Sequence, residues 1–144
     1  MKIAIGSDHG GLSIKAAVLK ALVAGGHEVV DMGTHTTDSV DYPDIAKVVA
    51  DAVSAGEVTR GVLVCGTGLG MSIAANKVAG ARAAVVTDTF SAQMACEHNN
   101  ANILCLGERV VGEGLALALL DAWMNAEFGG GRHARRVGKI NALD

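Results

Sequence analysis

Gly61-Val62-Leu63-Val64-Cys65-Gly66-Thr67-Gly68-Leu69-Gly70-Met71-Ser72 is the stretch that decides the fold. Its first five residues lack the polar alternation of a strand with one wet face, so they predict a strand buried on both sides. Gly66 to Gly70 then turns the chain into a helix running to about Val78. A doubly buried strand feeding a helix through a tight turn is the building unit of a parallel sheet covered by helices on both faces.

The same unit recurs in both directions. Upstream, Lys2-Ile3-Ala4-Ile5 starts a strand closed by Gly6. Leu12 to Val23 follows as a helix with Leu12, Ala16, Leu19 and Val23 on one face, ended by Gly25-Gly26. Glu28 to Asp31 is a second strand, residues 32–41 are a polar loop, and Pro43 fits the first position of a helix reaching about Ser54. Downstream, strands at Arg82 to Thr87 and Asn102 to Leu106 alternate with helices at Thr89 to about His98 and Gly112 to about Phe128. Gly129-Gly130-Gly131 is a hinge, and Arg132 to Leu143 forms a last helix. The expectation is an α/β chain: a three-layer αβα sandwich with a five-stranded parallel sheet, Rossmann-like, in a single domain over 1–144. Such sheets bind ligands beyond the carboxyl ends of their strands, which directs attention to loops 6–11, 32–42, 65–70, 87–90 and 107–109.

The 144 residues are 50% hydrophobic but only 3% aromatic, so the core must come from Ala, Val, Ile and Leu. A net charge of −3 offers no general attraction for nucleic acid or an anionic membrane. No apolar run reaches the ~20 residues of a membrane span. Cys65, Cys96 and Cys105 fit neither a zinc pattern nor a redox pair. Their odd number and the lack of a signal sequence point to a reducing, cytoplasmic setting.

Cys65 stands at the carboxyl end of the deciding strand, beside a turn whose free N–H groups attract anions, whether a phosphate or a developing oxyanion. The same field favours a thiolate, which makes Cys65 a base or nucleophile, where an isolated cysteine would be packing. The turn is G-x-G-x-G after the third strand, not the G-x-G-x-x-G of a dinucleotide site, and no Gly-Lys-Ser/Thr follows it. Asp88, at the distance of a ribose-binding acid, heads a helix and suits an N-cap. Asp8 and His9 sit between glycines at the end of the first strand and face either a crevice or open solvent. His98 ends a helix, as a dipole cap or an acid–base group, and Asn99 beside it can donate to a sugar oxygen. Arg132 and Arg136 share one helical face and match a phosphate, although terminal charge runs are usually just solvated. Arg109 is a further candidate. Cys96, Cys105, Trp123 and Met124 read as packing, and His27 and His35 as surface.

Taken together, these segments resemble the type B ribose-5-phosphate isomerase family, which includes allose- and galactose-6-phosphate isomerases. The matching stretches are Gly6–Gly11, Asp41-Tyr42-Pro43, Cys65–Lys77, His98-Asn99 and Gly130–Val137, in the family's order across nearly the whole chain. The resemblance implies a homodimer, sometimes paired into a tetramer, with the active site between subunits and the tail at about 129–144 reaching the partner. It implies a phosphorylated sugar substrate and no metal or organic cofactor. By position, Cys65 resembles the base that takes the C2 proton. Gly66, Gly68 and Gly70 lie in the enediolate's anion hole with the Thr67 hydroxyl, and Ser72 is in the same motif. His98 resembles the ring-opening group, with Asp8 and Tyr42 nearby. His9, Arg109, Arg132 and Arg136 resemble phosphate ligands, and Asn99 an enediolate contact. His133 follows the pattern without an assigned role. Met71, where one branch has Glu, places the chain with the cysteine branch.

The expected activity is therefore interconversion of ribose 5-phosphate and ribulose 5-phosphate, with allose 6-phosphate or another aldose phosphate as the alternative substrate. Two readings of other classes remain: a phosphate- or nucleotide-binding module without catalysis, and a cysteine hydrolase pairing Cys65 with His98.

Overall fold

The computed structural model describes residues 1–144. Along the chain run β1 (Lys2–Ser7), α1 (Leu12–Ala24), β2 (Glu28–Asp31), α2 (Tyr42–Ser54), β3 (Arg60–Cys65), α3 (Leu69–Ala75), β4 (Ala83–Val85), α4 (Thr89–Glu97), β5 (Ile103–Gly107), α5 (Glu113–Asn125) and α6 (Gly131–Asn141). All strand pairs are parallel, in one five-stranded sheet of order β2-β1-β3-β5-β4. The αβα sandwich expected from the apolar strands is the one observed. No helix is long and apolar enough to cross a membrane.

Alternate residues of the central strands feed two separate cores. Ile3, Ile5, Val62, Val64, Leu104 and Leu106 pack with α1, α4 and α5, around a fully buried Trp123. Ala4, Leu63, Cys65, Ile103 and Cys105 pack with α2 and α3. Small and branched side chains suffice because each sheet face is closed by its own helical layer. Burial of a Leu, Ile or Val contributes about 1.5–3 kcal/mol.

Some local expectations are corrected. The buried face of α1 is Ile14, Lys15, Val18 and Leu22, while Ala16 and Val23 are exposed. The reason lies outside the helix. Lys15 Nζ is held by Asp31 Oδ1 at 2.8 Å and Oδ2 at 3.0 Å and by the Thr34 carbonyl at 2.6 Å, so a cation is buried where periodicity alone would turn it outward. α3 stops at Ala75 instead of continuing to Val78, because the Asn76 side chain bonds both backbone groups of Ala83 and ties the helix end to β4. α5 stops at Asn125, and extended Ala126 gives its carbonyl to the Cys96 thiol at 3.1 Å.

Candidate active site

The chain order reverses between β1 and β3: β2 lies on one side of β1, and β3 starts the other half of the sheet. Adjacent loops diverge there and leave a crevice at the strands' carboxyl ends. Asp8 and Cys65 both stand in it. The Cys65 sulfur is nearly buried and accepts the Gly68 N–H at 3.1 Å. Gly68 has φ 78°, a left-handed conformation in which a side chain would also press on Leu106. A Cβ on Gly107 would come 2.5 Å from the Thr67 carbonyl carbon, so β5 ends directly beneath the turn. Glu108 and Arg109 then donate backbone N–H groups to the Cys65 and Gly66 carbonyls, and the Arg109 side chain lies over Gly66.

Asp8 accepts the Gly10 N–H at 2.8 Å, and Gly10 borders the Gly66 amide. His9 Nδ1 accepts the Val40 N–H at 3.2 Å, which leaves Nε2 as the donor of the neutral ring. Tyr42, at the start of α2, lies over Gly70. Asp8, His9, Tyr42, Cys65, Gly66, Thr67, Gly68, Gly70 and Arg109 thus gather at one edge of the sheet. The Thr67 hydroxyl accepts the Leu69 N–H, and the Ser72 hydroxyl donates to the Leu69 carbonyl at 2.9 Å. Ser72 thus gives its hydroxyl proton inside α3.

His98, Asn99, Arg132, His133 and Arg136 form a second group. α4 leaves the carboxyl end of β4 and returns to the amino end of β5, so its last residues lie at the opposite edge. Arg60, the first residue of β3, marks that edge: its guanidinium reaches Cys96 of α4 at 3.5 Å and the Trp123 carbonyl at 3.0 Å. Over the 6 residues of β3, Arg60 and Cys65 stand about 16 Å apart. The expectation that His98 works beside Asp8 and Tyr42 is therefore not met within one chain, and neither is the Cys65–His98 pair of a hydrolase. Here His98 stacks on His133, ring centroids 4.2 Å apart and planes within 8°. Arg132 and Arg136 are exposed one turn apart on α6.

Titration behaviour marks Cys105 and His133. Burial pushes the Cys105 thiol far above the usual thiol range, with nearby Cys65 adding to it, so Cys105 stays an inert thiol. Partial burial lowers His133 below the usual imidazole range, helped by His98, Arg132 and Arg136 and opposed by Glu97. Asp88 is the N-cap of α4, accepting the Ser91 N–H at 2.7 Å. No three His, Cys, Asp or Glu side chains converge as metal ligands.

Two supporting contacts escaped the sequence reading. Glu108 accepts the Ile14 N–H at 3.0 Å and so caps α1 from 94 positions away. Lys15 and Asp31 hold the root of the 32–41 loop, where Asp31 also accepts the Gly33 N–H at 2.9 Å. A buried lysine on an otherwise apolar helix face was the available signal for the second.

Comparison with known proteins agrees with this geometry. The sequence profile of the family described as Ribose/Galactose Isomerase matches residues 3–140. Ribose-5-phosphate isomerase B of Escherichia coli is 50% identical over 143 residues, covering 99% of this chain and 96% of that protein. D-erythrulose-4-phosphate isomerase of Pectobacterium atrosepticum is 45% identical, covering 97% and 93%. Among solved structures, ribose-5-phosphate isomerase B of Clostridium thermocellum superposes with a TM-score of 0.98 at 60% identity, covering 99% of this chain and 97% of that one. With the profile spanning nearly every element and relatives of matching length, the chain belongs to the Ribose/Galactose Isomerase family.

Proposed function

We propose that this chain is a cytoplasmic aldose–ketose isomerase that interconverts ribose 5-phosphate and ribulose 5-phosphate, working as a homodimer. Each active site combines the carboxyl-edge group of one copy with the amino-edge group of the other. The carrying observation is the Cys65 sulfur, set in the switch-point crevice and hydrogen-bonded only by the Gly68 amide. That bond sets the sulfur at the mouth of the glycine turn, and His98, at the opposite edge of the sheet, is not poised to make the thiol a hydrolytic nucleophile. The separation of His98 from Cys65 supports the two-copy site, because the second group is complete but stranded at the wrong edge.

The steps follow from these groups. His98 of the partner subunit gives a proton to the furanose ring oxygen as the bond from C1 to that oxygen breaks, while Asp8 takes the proton of the anomeric hydroxyl and Tyr42 lies beside the sugar. The Cys65 thiolate takes the C2 proton, and the C–H electron pair forms the C1–C2 double bond of an enediolate. Its negative oxygen faces the amides of the 66–70 turn and the Thr67 hydroxyl, with the partner's Asn99 as a further donor. Proton return from Cys65 to C1, with proton transfer between O1 and O2, completes the ketose. His9, Arg109 and the partner's Arg132 and Arg136 hold the phosphate, and this remote binding orients the reacting carbons.

The test is NMR of ribose 5-phosphate with the protein in D2O. Wild type should yield ribulose 5-phosphate carrying solvent deuterium, and Cys65→Ala should be slower by about 10²–10⁴-fold, the usual contribution of a positioned base. Equal conversion by both proteins would remove Cys65 from the role. A higher kcat/KM on allose 6-phosphate or erythrulose 4-phosphate would change the sugar and keep the reaction class. No turnover of any aldose or ketose phosphate would favour a binding module.

A further inference from the structure

We propose that His133 is a positioning residue for ring opening: its imidazole forms the platform on which His98 is held at the angle needed to reach the sugar's ring oxygen. The inference rests on the ring-opening role of His98 given above and adds a residue to which no role has been assigned.

Several contacts build the platform. The Gly129 N–H bonds the Glu97 carbonyl at 2.9 Å, pinning the turn before α6 to the end of α4. Gly130 and Gly131, both at positive φ, then reverse the chain, and the His133 N–H closes on the Gly130 carbonyl at 2.9 Å. That short path delivers His133 face to face with His98 at 4.2 Å. The end of α4 is itself anchored. Arg60 lies over the Trp123 ring, 4.7 Å from its centroid, and reaches Cys96, while the Trp123 indole N–H donates to the Ala101 carbonyl at 3.1 Å. His98 therefore has a fixed backbone below it and a fixed ring above it.

Local charge disfavours a proton on His133. Two stacked imidazolium rings would repel, which disfavours protonating both members of the pair. The charged groups around it are Glu97 on α4 and Arg132 and Arg136 on α6, and the two arginines disfavour protonation of His133. The neutral form of His133 is therefore favoured, and its ring face lies flat against His98. A phosphate drawn to Arg132 and Arg136 thus arrives beside a ring pair already set in orientation.

Ribulose 5-phosphate has no free hydroxyl with which to close a furanose, so exchange of its C1 hydrogen with D2O reports enolisation without ring chemistry. His133→Ala should lower ribose 5-phosphate turnover about tenfold, with KM changed less than twofold and ribulose 5-phosphate exchange within twofold of wild type. His133→Phe, which keeps a neutral stacked ring, should restore turnover to within threefold. The His98 ring protons should keep their upfield NMR positions in His133→Phe and move downfield in His133→Ala. Equal loss of turnover and exchange in His133→Ala, or no rescue by Phe, would overturn the proposal, as would unchanged His98 resonances in His133→Ala. His98→Ala serves as the control. If it loses exchange as much as turnover, the ring-opening role beneath the proposal fails, a result distinct from failure of the platform.

Discussion

Gly70 carries the Tyr42 ring almost in contact, so that a Cβ there would stand 2.6 Å from two ring carbons. Tyr42 is 41% exposed and can swing into solvent, so the fold should absorb Gly70→Ala while the crevice loses its aromatic wall. We expect kcat/KM on ribose 5-phosphate to fall about tenfold, or about 1.4 kcal/mol of transition-state binding, with the thermal midpoint nearly unchanged. Tyr42→Ala should give a similar loss, and wild-type kinetics in Tyr42→Ala would detach the ring from the reaction. At this scale much was readable. Cys65, Asp8, His9 and Arg109 were chosen from their types and places after strands and Tyr42 from the family resemblance, and the structure brings them to one edge. The Ser72 hydroxyl proton goes back to the carbonyl three residues earlier, a choice its sequence does not announce.

The loop from Met32 to Asp41 owes its root to α1. Lys15 is 5% exposed, and its ammonium is shared between the Asp31 carboxylate and the Thr34 carbonyl. Lys15→Met keeps most of the volume but strands the carboxylate, and should destabilise the protein by about 3 kcal/mol in urea unfolding. Because Val40 of the same loop bonds His9, the variant should also raise KM for the sugar phosphate; an unchanged KM would uncouple the loop from the site. The α4–α6 contact makes a pH prediction. His133 resists protonation in the fold, so stability falls as pH drops below about 6.5, where the unfolded chain takes the proton. His133→Phe should flatten the loss of thermal midpoint between pH 7 and 5. Element order was legible from apolar runs and glycine stops. Element ends and the buried face of α1 were not, because Asn76, Asp31 and Glu108 act on partners distant in sequence.

A site divided between two copies has a direct signature in the whole molecule. Cys65→Ala and His98→Ala should each be nearly inactive alone. Mixed and refolded together they form hybrid dimers in which one site lacks both residues and the other has both, so random pairing returns about a quarter of wild-type activity. No recovery would place both residues in one chain's site. The topology is what motivates the test. In a parallel sheet the last residues of a crossover helix return to the amino edge, so placing His98 just before β5 separates it from Cys65 at the far end of β3. The partner that closes the gap is not encoded in the local pattern. The proposed arrangement would also fix how substrate reaches the dimer. In it each copy lends its carboxyl edge to one site and its amino edge to the other, so the two strand bundles would run in opposite senses and the two mouths would open at opposite ends. A dimer immobilised by one end would feed through a single door and run at half capacity, and a neighbouring enzyme handing over sugar phosphate from one side would serve only the site that faces it.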